Sequence, residues 1–296
     1  MGEDVVRNAA KGLLRSIVRG TRAVAERVDP TEVAGNFNNP DFVYASLNRA
    51  LRQIMSEEPS VLRSSYTWGT LHAAHLAKSL GVMRISVVEF GVAGGNGLVA
   101  LERAARRVQS HLGVAIDVHG FDTGVGLPPP TDYRDLPNIF RQSEYRMDVD
   151  ALRNRLHHAQ LHIGLVGETV ERFVASRPAP VGFISFDLDY YTSTMNAFTL
   201  LEAHESLLLP RIHCYFDDIM GFTFSEFTGE RLAIDEFNAT HVSRKISPIY
   251  GLRYFLPPVY AQQQWSEMFY MAHLFDHPLY SVNDGLVVSA QRALRA

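Results

Sequence analysis

The sequence predicts an α/β protein built on a doubly wound, mostly parallel sheet. Three observations carry this. From Ile85 onward, short β-branched runs alternate with amphipathic segments long enough to be crossover helices. The first run passes directly into a glycine cluster, Gly91-Val92-Ala93-Gly94-Gly95-Asn96-Gly97, and then into a helical pattern. Two later runs end in aspartates, Asp187 and Asp217, at the kind of strand end that faces a ligand crevice in such sheets.

Taken in order, residues 1–80 show apolar positions at helical spacing, punctuated by Pro30, Pro40 and Pro59, with no strand-like run. They are expected to form an amino-terminal helical cap belonging to the same domain as the core over 81–296. Strands are expected at Ile85–Phe90, Ala115–Phe121, Leu161–Val166, Val181–Phe186 and Arg211–Phe216. The helix after the first strand carries Leu98, Leu101, Ala105, Val108 and Leu112 on one stripe, with Arg103, Arg106 and Arg107 opposite as solvated charge. Between the second and third strands, Gly124–Asn138 holds Pro128, Pro129, Pro130 and Pro137, and is too long for a simple connector, as lids and binding loops are. A helix follows near Glu230–Asn238, then an aromatic stretch with Trp265, Met268, Phe269 and Phe275 that is expected to pack.

With 46% hydrophobic and 20% charged residues, the composition is that of a globular protein. A net charge of −4 gives no basic face for nucleic acid and favours a small molecule or glycan. Cys214, alone in the sequence, sits in an apolar run, which excludes an intrachain disulfide and suits a reducing cytoplasm. No run is long and apolar enough to span a bilayer. Residues 5–28 mix apolar positions with Arg7, Lys11, Arg15, Arg19, Arg22 and Arg27, as in a basic amphipathic helix that docks on a membrane surface, on the domain, or on another subunit of a homo-oligomer.

The glycine cluster also satisfies the dinucleotide pattern G-x-G-x-x-A from Gly95 to Ala100, so a nicotinamide oxidoreductase is the competing reading. Glu89 argues against it. On the strand just before the first glycine, a carboxylate suits a cationic ligand and opposes a pyrophosphate.

Glu89-x-Gly91-x-x-x-Gly95-x-Gly97 resembles motif I of class I S-adenosylmethionine (SAM)-dependent methyltransferases. Asp187-Leu188-Asp189-Tyr190-Tyr191-Thr192-Ser193-Thr194, the pair Asp217-Asp218, and Gly229 to Phe237 resemble motifs of the macrocin O-methyltransferase family, over roughly residues 85–240. The resemblance implies a Rossmann-like fold with a carboxyl-terminal acceptor-side elaboration. It implies SAM held by Glu89, Gly91, Gly95 and Gly97, with Asp122 on the ribose hydroxyls and Glu168 beside the adenine. It also implies Mg²⁺ or a similar ion on Asp189, Asp217 and Asp218, with Asp189 as general base and a hydroxylated small molecule or sugar as acceptor. A SAM-binding protein without catalytic activity is the third reading. Strand-end aspartates and Glu168 can equally cap helices. At Thr192 the catechol-type enzymes' lysine is missing, and Phe222, Phe224 and Phe227 follow no known acceptor pattern. His72 and His75 are expected to be structural, and His273 or His277 to serve as an alternative base.

Overall fold

The computed structural model of the protein describes residues 40–221 and 224–282. The chain divides into two compact units, Met1–Ala45 with Leu286–Ala296, and Ser46–Gly285. The second is described here. The basic stretch over 5–28 and Phe222 lie outside the described residues.

A single seven-stranded sheet runs through this unit. Strands β1 (Arg84–Phe90), β2 (Ala115–Asp122), β3 (Gln160–Ile163), β4 (Val181–Phe186) and β5 (Leu208–Phe216) are parallel. Strands β6 (Arg244–Pro248) and β7 (Phe269–Leu274) complete the order β3-β2-β1-β4-β5-β7-β6, with β7 inserted antiparallel between β5 and β6. The strand order reverses between β1 and β4, which opens a crevice beyond their carboxyl ends. Helices α1 (Pro40–Glu57), α2 (Ser64–Ser79), α3 (Asn96–Leu112), α4 (Val149–Arg153), α5 (Val166–Ala175), α6 (Tyr191–Phe198), α7 (Gly229–Thr240) and α8 (Pro258–Ala261) surround it. Helices α2 and α3 pack on each other and on the sheet, while α5, α6 and α7 pack side by side.

The central strands are apolar on both faces because helices cover both: β4 is buried throughout, and β1 is buried after Arg84. Helix α2 lies close to β4 because Gly69 has no Cβ, and the Phe183 ring occupies that space. Four phenylalanines close the carboxyl end of the core in register. Phe121, Phe90, Phe186 and Phe216 are paired across β2, β1, β4 and β5, with neighbouring ring centroids 4.8, 5.6 and 4.7 Å apart. The residues that follow them are Asp122, Gly91, Asp187 and Asp217, which the ladder therefore delivers to one edge of the sheet.

Three sequence expectations change. The third strand stops at Ile163, because Gly164 takes φ 140 and Val166 already opens α5. The aromatic stretch contains β7, whose two neighbours in the sheet were not visible as a pattern; Trp265, Met268 and Phe269 are buried, while Phe275 is exposed. Arg103, Arg106 and Arg107 do not simply face solvent. They converge on Glu58, Arg103 at 3.3 Å and Arg106 at 3.0 Å, and Arg107 also reaches Glu57 at 2.7 Å. Hydrogen bonding from Arg107 holds the Glu58 carboxyl below its ordinary range.

One buried carboxylate ties α3 to the chain entering β3. Glu102 Oε1 accepts from the backbone N–H groups of His157, His158 and Ala159 at 2.9, 2.5 and 2.7 Å. Replacing it by alanine leaves three donors without this acceptor, so Glu102→Ala is expected to cost about 2–3 kcal/mol. Hydrogen exchange at residues 157–159 should accelerate in parallel, and unchanged exchange there would show that the amides find other partners.

Candidate functional site

The glycine turn leaves β1 at Phe90 and enters α3 at Asn96. Each motif glycine answers a contact inside the protein. A Cβ on Gly91 would lie 1.7 Å from the Asp187 carbonyl oxygen, and one on Gly97 would lie 1.9 Å from Glu89 Oε1. Gly95 has φ 81 and caps α3, and a Cβ there would lie 2.2 Å from the Leu152 side chain. The glycines thus let the turn press against β4, Glu89 and α4. Gly94, where an added Cβ meets nothing within 4 Å, faces open space.

Glu89 is buried beneath this turn. Its Oε1 accepts from the Tyr66 hydroxyl at 2.7 Å, and Ser185 donates to that same hydroxyl at 3.0 Å. Its Oε2 has no hydrogen-bond partner among the described residues. Burial raises the Glu89 pKa to about 8, against the lowering effects of the Tyr66 bond and the Arg63 charge. Tyr66 and Trp68 are both buried in the core, and Trp68 stacks on His72.

Asp122 ends β2 and folds back on the turn. Its Oδ2 accepts from Val92 N at 3.0 Å and Ala93 N at 2.9 Å, and its Oδ1 accepts from Gly124 N at 2.7 Å. It therefore shapes the turn and also lines the cavity above it. Glu168 lies elsewhere. It occupies the exposed first turn of α5, 3.8 Å from Arg172, while Gly164, Leu165 and Val166 are the residues of that stretch lining the cavity. An acidic residue in a first turn complements the helix dipole.

Asp187, Asp189, Asp217 and Asp218 all line the cavity. Asp189 sits at φ 60 and its backbone N–H donates to Asp218 Oδ2 at 3.1 Å. Asp217 accepts from the Tyr215 hydroxyl at 2.8 Å, and the backbone N–H of Asp218 donates to buried Glu230 at 3.0 Å. Burial, then the charge of Asp187, raises the Asp189 pKa; burial, then Asp189, raises that of Asp218. Asp187 and Glu230 are pushed well up, burial again being the main cause. Among the described residues no group of three His, Cys, Asp or Glu side chains is arranged to hold a metal ion. The donor chemistry of Asp189, Asp217 and Asp218 suits a hard cation, but their placement does not form the expected ligand set.

The proline-rich loop is pinned over this edge by a residue that the sequence did not single out. Buried Asp135 accepts through Oδ1 from Thr192 N at 2.9 Å and Thr192 Oγ1 at 2.8 Å, and through Oδ2 from Thr131 N at 2.8 Å. Thr192, noted in the sequence for the lysine it replaces, thus anchors the loop to the start of α6. Leu136 and Phe140 pack on Tyr190, with Leu127 and Phe224 against them, whereas Phe227 is exposed.

The remaining histidines are remote from the site. His273 pairs with Arg211 near the amino end of β5, and its Nδ1 lies 2.9 Å from the Tyr280 hydroxyl. His277 contacts the Glu205 carbonyl oxygen at 3.2 Å and accepts from Leu279 N. Neither lines the cavity.

The cavity measures about 480 Å³, a size suited to a cofactor or a small ligand. Five aspartates line it, Asp122 with the four above, and no lysine, arginine or histidine among the described lining residues joins them. A pyrophosphate would meet these carboxylates with no lining cation to balance them. A cationic sulfonium ligand fits.

Glu89 makes stability depend on pH. In the unfolded chain it ionises near pH ~4.3, whereas folded it holds its proton until about pH 8. Between those values the folded state binds more protons, so the contribution is full below the lower value and is lost as pH rises through the upper. The melting temperature should fall from pH 5 to pH 8, and less steeply for Glu89→Gln. Parallel pH profiles for the two proteins would remove Glu89 as a source. Gly95→Val should destabilise the turn even without ligand, through strain at φ 81 and the clash with Leu152. An apo melting temperature equal to wild type would contradict that.

No family model and no curated relative matches the chain. Solved structures do. A calicheamicin methyltransferase, CalS11, is 21% identical over 66% of this chain and 84% of its own, with a TM-score of 0.45. The O-methyltransferase NovP is 15% identical over 62% and 75%, with a TM-score of 0.47. The O-methyltransferase TomG from Streptomyces achromogenes, in complex with SAM, is 15% identical over 78% and 88%, with a TM-score of 0.41. Five parallel strands, a reversal between β1 and β4, and an antiparallel β7 slotted beside β5 give the chain a Rossmann-like fold, as the sequence resemblance implied.

Proposed function

We propose that the protein is a SAM-dependent O-methyltransferase acting on a hydroxylated small molecule or sugar. The observation that carries this is the cavity at the switch point, lined by five aspartates and no basic side chain. It suits a cationic cofactor and opposes the pyrophosphate of the nicotinamide reading. When bound, SAM supplies a methyl group made electrophilic by its sulfonium, which departs as a neutral thioether.

The chain's own residues supply the rest. Asp122 holds the turn with three accepted N–H bonds and keeps about one acceptor site, on Oδ1, for a ribose hydroxyl. The loop fastened by Asp135 restricts water at the cavity's edge. Asp189 lines the cavity with its pKa raised toward the acceptor's working range, so it is positioned to take the hydroxyl proton as the oxygen attacks carbon. A base of this kind turns a poor nucleophile into a better one during the displacement.

Calorimetry with SAM should give micromolar affinity, and Asp122→Ala should weaken it by about 1.5–3 kcal/mol, the range for hydrogen bonds to a charged group. Absence of binding by the wild type would sink the reading, and a protein that binds but transfers no labelled methyl across a broad hydroxyl panel would be a non-catalytic SAM binder. Turnover should survive EDTA and fall at least a hundredfold in Asp189→Asn with SAM affinity kept. Loss of turnover in EDTA, restored by Mg²⁺, would instead support the ion on Asp189, Asp217 and Asp218.

A further inference from the structure

Besides the aspartates, the cavity has lining residues of a different kind. Leu127, Pro128, Pro129, Phe140 and Tyr145 line it. Tyr145 is the unusual member, because it is 55% exposed and takes φ 61, a left-handed backbone that a residue with a large side chain rarely adopts. Ser143, two residues earlier, does the same at φ 68. A left-handed backbone brings the Cβ of an L-residue close to its own carbonyl oxygen, so such positions are unfavourable.

The surrounding chain enforces this geometry. Leu127 N donates to the Glu144 carbonyl oxygen at 2.9 Å, and Ser143 N donates to the Leu127 carbonyl oxygen at 2.8 Å, so residues 143–144 are laced to the proline-rich loop. The Glu144 carbonyl oxygen fills the space of the missing Gly126 Cβ, 2.3 Å from where that atom would stand. Arg141 N donates to the Glu144 carboxylate at 2.8 Å. Every one of these bonds holds the backbone. None involves the Tyr145 side chain, whose hydroxyl has no hydrogen-bond partner among the described residues. Left-handed backbone held in place at a cavity wall, with no side-chain hydrogen bond of Tyr145 to offset it among the described residues, points to a ligand.

We infer that Tyr145 is the residue that grips the acceptor, its ring stacking on an uncharged hydroxylated ring whose reacting hydroxyl is directed toward Asp189. This rests on the methyltransferase reading. The apolar lining suits the face of a sugar or phenol ring, and the aspartates suit its hydroxyls. An anionic group on the acceptor would meet carboxylates with no lining cation to balance it. Burial together with the charges of Asp189, Glu144, Asp218 and Asp187 also raises the Tyr145 pKa, so its phenol stays neutral and can donate.

The test uses the full chain saturated with S-adenosylhomocysteine. Catechol and methyl β-D-glucopyranoside are the uncharged probes, and 3,4-dihydroxybenzoate and methyl β-D-glucuronide are their carboxylate-bearing counterparts. Binding is followed by saturation-transfer NMR and titration. At least one uncharged probe should bind wild type, at least tenfold more tightly than its charged counterpart. Tyr145→Ala and Tyr145→Gly should each weaken that probe tenfold or more, Tyr145→Phe should stay within threefold, and all should bind S-adenosylhomocysteine as wild type does. Tyr145→Gly should also melt no lower than wild type, since glycine accepts φ 61 freely. A purely structural Tyr145 would instead lower the melting temperature and leave probe affinity unchanged, overturning the inference. So would binding of neither uncharged probe, or equal binding of the charged ones. Failure of wild type to bind S-adenosylhomocysteine would fall on the methyltransferase reading instead.

Discussion

The phenylalanine ladder across β2, β1, β4 and β5 is the constraint on which the site depends. Parallel strands can slide relative to one another only by breaking hydrogen bonds and moving side chains to the wrong face. Phe121, Phe90, Phe186 and Phe216 are all essentially buried, so a slip in any strand would open a void in the packed ladder at the sheet's carboxyl end. Because each ring is followed immediately by a site residue, the same packing that closes the core aligns Asp122, Gly91, Asp187 and Asp217. Hydrophobic burial is thus converted into the convergence of charged groups.

That convergence is electrostatically unfavourable by itself. Glu89, Asp187, Asp189, Asp218 and Glu230 all have raised pKa values, and burial is the largest cause in each. Arg63 is the cation that lowers the pKa values of Glu89 and Asp187 from below the turn. The site therefore holds protons to higher pH than an exposed cluster would. The loop anchored by Asp135 and the segment laced to it at 143–144 add apolar lining to the same cavity, through Leu127, Pro128, Pro129, Phe140 and Tyr145.

How much of this was visible in the sequence differs by element. The alternation of β-branched runs with amphipathic helices disclosed the parallel strands and the glycine turn, since local hydrophobic period determines those elements. The third strand was drawn too long, because the left-of-strand geometry at Gly164 leaves no mark in hydropathy. Strands β6 and β7 were missed because β7 reads as a mixed aromatic segment whose character depends on pairing with β5 and β6. Arg103, Arg106 and Arg107 looked like a solvated face because Glu58 lies far away in sequence.

The sequence by itself determined the fold class, the turn that begins at Glu89 and the strand-end aspartates, because period-2 and helical patterning, glycine and strand-end position are local properties. Only the tertiary structure decided what those residues touch. It turned the glycines toward Asp187, Leu152 and Glu89, closed Asp122 onto the turn, and left Glu168 in solvent outside the cavity lining. It brought forward Asp135 and Tyr145, which no spacing marks, since a buried hydrogen-bond hub and a strained backbone exist only once distant segments are packed together. Direction, burial and backbone handedness are set by packing, and packing is what a linear pattern does not contain.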